Sequence, residues 1–160
     1  MTRSRTNADN ALASATIITA RKTANQSVTS STTVANDTHL TFAVAANEVW
    51  MFSLYLGLSF LSGANLKATM NGPSGATILW SFTPNLMLDT GFAPIGPPGK
   101  GLGVTDITYA DATATTVGIS GVIVNGSTAG SCTLQWAQGT SSGSASTIKI
   151  NSYLVAIKGV

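Results

Sequence analysis

One cysteine, one histidine and few charges set the first limits on this 160-residue chain. A lone Cys132 excludes an internal disulfide, so the fold must be held by its own core. His39 is the only imidazole. Its nearest acid in sequence, Asp37, sits two residues away, too close to orient the ring from a strand. A nucleophilic triad therefore has no members to draw on. Lys and Arg number 8, and Asp and Glu number 6. So low a charge density leaves solubility to hydroxyls and amides and weakens self-repulsion, which suits a chain that packs into an assembly. No stretch carries helical periodicity, which excludes an α-rich architecture. The N-terminal stretch MTRSRTNADNALASA has no continuous apolar segment of the secretory kind, and no leader is expected.

The charge is also uneven. Arg3, Arg5, Arg21 and Lys22 face only Asp9 in the segment that ends at Lys22, while the rest of the chain holds four lysines against five acids. The body offers no basic surface for nucleic acid. Residues 1–20 read as an extended arm, with Arg3, Arg5, Arg21 and Lys22 as its partner-binding cations, and residues 21–160 as one β domain.

Ser and Thr abound and Gly numbers 16, a composition of strands and turns. The most apolar stretch, EVWMFSLYLGLSFLSGANLK, carries no charge anywhere between Glu48 and Lys67. As a helix it would reach about 27 Å, short of a hydrocarbon core, and no Lys/Arg cluster flanks it. Its period is two. Trp50, Phe52, Leu54, Leu56, Leu58 and Phe60 share one face; Val49, Met51, Ser53, Tyr55, Gly57, Ser59 and Leu61 share the other. As a single strand it would run about 43 Å, longer than usual, so a bend or bulge is expected near Gly57. The same alternation recurs at 40–44, 117–124, 131–136 and 152–157. Shorter candidates are 16–21, 27–34, 66–70, 76–82 and 104–109. Turn-forming clusters separate them at 45–47, 71–75, 125–127 and 139–146, and the longest irregular connection is 91–103. The pattern predicts an all-β fold, a jelly-roll-like antiparallel sandwich of about eight to ten strands with an extended N-terminal arm.

Trp50, Phe52, Phe60, Trp80 and Trp136 are expected in the core, with Cys132 buried and inert. The face bearing Val49, Met51 and Tyr55 is too apolar for water. Either the strand is central with both faces covered or this face meets another subunit; the second is the expectation, with those three forming an oligomer interface. No metal site is expected, since the acids are scattered; Asp106 and Asp111 are the only pair that could share a loop cation. GPPGKG at 96–101 lacks the first Gly and the Ser/Thr of a phosphate loop and reads as a rigid contact loop. No catalytic residue, cofactor or membrane partner is expected.

Two segments carry a resemblance. KTANQSVTSSTTVANDTHLTFAVAANEVWMFSLYLGL (22–58) and GVIVNGSTAGSCTLQWAQGTSSGSASTIKINSYLVAIK (121–158) are similar to β-domains of bacteriophage virion proteins, those of tail-fibre ends and head-attached accessory proteins. A looser likeness, carried by Phe42, the turn at Asn47, Trp50-Met51-Phe52 and the closing strand 153–158, is to the trimeric jelly roll of the tumour necrosis factor and complement type; residues 81–112 do not match it. The first resemblance implies a virion context; with the short chain, the absence of a long fibre shaft and the polar basic arm, it leads to the expectation of a non-enzymatic structural virion protein, a trimeric capsid decoration protein attached to the head by its arm. The alternative is a tail-fibre or spike tip that binds a host glycan or surface protein through loops such as 91–103 and 139–146. The second likeness implies that Tyr55 and its face-mates line a threefold axis. The implied partners are further copies of the chain and the major capsid protein or another virion protein, and the implied location is the capsid surface.

Overall fold

The computed structural model describes residues 16–59, 64–84, 100–101, 105–107 and 115–159. Twelve strands lie among them: β1 (Ile17–Arg21), β2 (Gln26–Val28), β3 (Ala35–Val44), β4 (Val49–Ser59), β5 (Leu66–Asn71), β6 (Thr77–Pro84), β7 (Lys100–Gly101), β8 (Thr105–Ile107), β9 (Thr115–Val124), β10 (Gly130–Gln138), β11 (Ser146–Ile148) and β12 (Tyr153–Lys158). The described residues contain no helix, and so none long and apolar enough to cross a membrane. Every pairing among them is antiparallel. The larger sheet runs β1-β12-β4-β9-β6-β7, with β11 joining β4 and β2 joining β11; the smaller runs β3-β10-β5-β8.

The all-β expectation holds, and the strands outnumber the eight to ten expected. The additional ones are two or three residues long and lie in polar, Gly-rich segments whose composition reads as loop. Ser146–Ile148 and Lys100–Gly101 acquire strand geometry only because a long neighbour offers them an edge. The opposite correction applies to 27–34, where only Gln26–Val28 is paired and the next strand begins at Ala35.

Period two decides which side chains meet. In β4 the even positions from Trp50 to Leu58 are buried, as are Leu40, Phe42 and Val44 of β3. The two sets belong to different sheets yet join one core with Leu66, Ala68, Met70, Ile119, Ile123, Leu134, Trp136 and Leu154. Phe42 bridges the sheets, with its ring centroid 5.6 Å from Trp50 and 6.3 Å from Phe52. Burial of each such side chain contributes roughly 1.5–3 kcal/mol relative to exposure. Trp50, Phe52, Trp80 and Trp136 are in the core as expected; Phe60 lies outside the described residues.

The crossing from β3 to β4 takes only residues 45–48. Asn47 makes it possible by adopting φ 61°, a left-handed conformation that asparagine tolerates better than most side chains. Glu48 then locks the corner. Its Oε2 accepts from the Ala45 backbone N–H at 2.9 Å and from Trp50 Nε1–H at 2.8 Å, while Oε1 pairs with Lys158 at 2.6 Å. These donors, Lys158 first, hold the Glu48 carboxyl down at about 2.

No bulge interrupts β4 at Gly57. Its register with β9 is continuous from Val49↔Val124 to Leu58↔Thr115. The irregularity lies in the strand alongside. Beyond Tyr55 the partner changes from β12 to β11, across a turn in which Asn151 has φ 71°. Gly57 O accepts from Lys149 N and Gly57 N donates to Ser152 Oγ, which bridges the gap. The register shift that does occur is between Thr133 and Gln135 of β10.

Candidate interaction surface

The outer face of the larger sheet is built from the odd positions of β4 and whatever the registers set beside them. Met51 aligns with Ile157 of β12 on one side and Val122 of β9 on the other. Ile157 aligns with Ile17 of β1, and Val122 with Leu79 of β6. The result is a row five strands wide, Ile17–Ile157–Met51–Val122–Leu79, with no polar member. Val49 and Val124 form a row above it, ending in Thr77. Below it lies a row of Thr19, Val155, Ser53, Ser120 and Ser81. Next comes Arg21, Tyr153, Tyr55 and Gly118, in which the two tyrosine rings stack with centroids 5.6 Å apart.

Nine large apolar side chains are exposed among the described residues. Eight of them (Ile17, Val49, Met51, Tyr55, Leu79, Val124, Tyr153 and Ile157) stand on this one face; the ninth, Ile150, is in the turn before β12. Met51 and Leu79 are each 52% exposed and Ile17 60%. Scattered apolar exposure is ordinary; exposure gathered on one face makes that face the candidate surface of this domain. Strand spacing makes five strands about 24 Å wide and four rows about 27 Å long. That is roughly 650 Å² per copy, or about 1,300 Å² for two, within the range of specific protein interfaces.

The smaller sheet has the opposite outer face. Thr41, Ala43, Ser131, Thr133, Gln135, Thr69 and Asn71 occupy it. The hydroxyls of Thr41 and Thr133 pair at 2.7 Å, and Gln135 Nε2 donates to Asn36 Oδ1 at 2.8 Å. The outer face of one sheet is polar and that of the other is largely apolar.

Of the interface residues expected from sequence, Val49, Met51 and Tyr55 all stand on the apolar face. Five more exposed apolar residues of that face, Ile17, Leu79, Val124, Tyr153 and Ile157, stand on other strands and were not singled out from sequence. The signal for each was its parity within its own strand; the register that aligns the strands was not in the sequence pattern. The cationic arm needs correction at its inner end. Arg3 and Arg5 lie outside the described residues. Arg21 is exposed, and its Nη1 donates to Asn151 Oδ1 at 2.5 Å. Lys22 is no arm cation: its ammonium is fully buried, 2.6 Å from Asp37 Oδ2 and 3.2 Å from Gln26 Oε1. Asp37 Oδ1 in turn accepts from the backbone N–H of His39 and of Leu40. Nor does an arm fill residues 1–20, because Ile17–Ala20 pair with β12.

His39 uses its ring nitrogens on the hydroxyls of Thr23 at 3.0 Å and Thr38 at 2.8 Å, not on Asp37. Burial pushes the Cys132 thiol up to about 12, so it carries almost no thiolate near neutrality. Among the described residues no three His, Cys, Asp or Glu side chains gather as a metal site; Asp111 and most of the 91–103 loop lie outside them. No family model, curated protein or solved structure matches the chain.

Proposed function

We propose that this chain is a non-enzymatic structural protein of a bacteriophage particle, a homotrimeric decoration domain held on the head through its N-terminal arm. The observation that carries the self-association is the uncharged apolar row Ile17–Ile157–Met51–Val122–Leu79. A face of that size left in water would aggregate the protein. The occupant always present in matching amount is another copy of the chain. A membrane fits less well, because the described rows around it offer serines and no cluster of Lys or Arg. The particle assignment rests on the two sequence segments that resemble phage virion domains.

The jelly-roll reading is supported by strand order. With β2, β6, β7 and β11 set aside as additions, eight strands remain: β1, β3, β4, β5, β8, β9, β10 and β12. The first, eighth, third and sixth of these are neighbours in one sheet; the second, seventh, fourth and fifth are neighbours in the other. That is the order produced by folding two Greek keys into a double sheet.

Two measurements test the proposal. Light scattering at micromolar concentration should give three times the chain mass of 16.3 kDa, and Met51→Asp with Leu79→Asp should reduce it to one. A wild-type monomer rejects the self-association. Copy number in purified particles tests the location: hundreds on the head support decoration. A handful at the tail rejects it in favour of the fibre tip, a reading favoured by the ordered Ser/Thr loops described below.

A further inference from the structure

The sandwich has two chemically different ends, and the strand directions say which end residues 1–15 join. β1 begins at Ile17, level with Ile157, Met51 and Val122. Thr16 O accepts from Lys158 N at 2.9 Å. Thr16, where residues 1–15 join, is therefore at the same end of the larger sheet as the turns 45–48, 73–76 and 125–129. These turns brace one another. Asn125 Nδ2 donates to Ala45 O and to Thr128 O, Asn47 N donates to Gly126 O, and Asn125 N donates to Glu48 O. A Cβ on Gly126 would approach Gly75 O to 3.0 Å, so the second turn packs directly on the third. The exposed groups here are small and uncharged, such as Ala46, Asn47, Ser74 and Ser127. The two charges present among the described residues, Glu48 and Lys158, neutralise each other.

The opposite end, about 35 Å away along the length of β4, carries the hydroxyl-rich segments 29–33 and 139–146. Composition alone would leave these loose. Instead Gln138, fully buried, organises them. Its Nε2 donates to Ser144 O at 2.8 Å, and its Oε1 accepts from Ser142 N at 3.0 Å. Ser30 N donates to Ser142 O, and Gln138 N to Ser31 O.

We infer that the end formed by turns 45–48, 73–76 and 125–129 is the surface that docks on the particle, against a protein face of low charge, and that the Gln138-organised loops point outward. This rests on the arm-attached reading above. A rigid, small-residue platform at the end where residues 1–15 join adds a second contact to that of the proposed arm with little ordering loss, so the two reinforce each other. Among the described residues this end has no cation free to hold nucleic acid phosphates. The larger sheet's apolar face remains for sister copies and the smaller sheet's polar face for water.

The test is site-directed labelling of the full chain. Ser74→Cys and Gly143→Cys are made separately; a Cβ at Gly143 meets nothing within 4 Å, and Ser74 is exposed. The native Cys132 is buried and does not compete for label. Each variant is coupled to a bulky maleimide-polyethylene glycol, checked for unchanged oligomer mass, and mixed with particles stripped of the protein. The expected result is binding of the Gly143-labelled protein within twofold of unlabelled and at least tenfold weaker binding of the Ser74-labelled protein. Equal binding by both, or loss only on labelling at 143, overturns the orientation while leaving attachment intact. If unlabelled protein fails to bind, the attachment reading falls, and this inference with it.

Discussion

Removing the negative partner of Lys22 should be the most damaging single change of charge in this domain. Both side chains of the Lys22–Asp37 pair are fully buried. In Asp37→Asn the amide keeps the shape and can still accept from the His39 and Leu40 N–H groups, but the ammonium of Lys22 is left in the interior with only neutral partners. Breaking a buried pair this way costs about 3–5 kcal/mol. For a domain of this size each kcal/mol moves the melting temperature by about 2–4 °C, so a fall of roughly 6–20 °C is expected. Lys22→Met leaves a different remainder. The Asp37 carboxylate keeps its two backbone donors at 2.9 and 3.0 Å and loses only the partner of Oδ2, which costs about 3 kcal/mol, the low end of the same range. The double variant Lys22→Met/Asp37→Asn should be more stable than the sum of the two losses by about 1–3 kcal/mol. Urea unfolding followed by tryptophan fluorescence reads all three. Should Asp37→Asn lose under about 1 kcal/mol, the level of an exposed pair, or should Lys22→Met prove worse, the buried-charge reasoning fails.

Gly121→Ala should destabilise by about 1–3 kcal/mol through overpacking, because the new Cβ would sit 2.4 Å from Leu79 O and 2.7 Å from both Phe52 Cζ and Trp80 Cβ. The matched control Gly143→Ala should be neutral or stabilising by up to about 1 kcal/mol; a melting temperature for Gly121→Ala at or above wild type would contradict the close packing. The Glu48 carboxyl is held at about 2 in the folded chain against an ordinary 4.5, so its contribution is complete above pH 4.5 and is lost as pH falls from there through about 2. The melting-temperature gap between wild type and Glu48→Gln should accordingly close over that window, and a gap constant down to pH 2 would refute the assignment. Cys132 should resist iodoacetamide at pH 8 in the native protein and react after unfolding in urea; rapid native alkylation would show that the thiol is neither buried nor protonated.

What sequence made legible was parity. Each long strand announced its inward face, so the core membership of Trp50, Phe52, Leu54, Trp80 and Trp136 followed from a period of two, and Val49, Met51 and Tyr55 stood out as too apolar for water. Short strands such as Ser146–Ile148 were not legible, because so brief a piece of a Ser-rich stretch becomes a strand only when a neighbouring edge accepts it. The β4 bulge expected at Gly57 was misplaced for a related reason: β4 stays in register, and the interruption falls in the neighbouring chain between β11 and β12, at Asn151. Lys22 was misread because charge in sequence says nothing of burial, and only the approach of β3 to the end of β1 delivers Asp37 to it.

Sequence by itself thus determined the class, the core face of each long strand and the apolar character of three outward residues of β4, Val49, Met51 and Tyr55. Only the tertiary structure decided that Ile17, Leu79, Val122 and Ile157, drawn from opposite ends and the middle of the chain, complete a single row with Met51. Parity is a local property of one strand, fixed by the pleat. Register is a relation between strands, set by turns and by the packing of the shared core, and it is register that turns separate apolar residues into a surface.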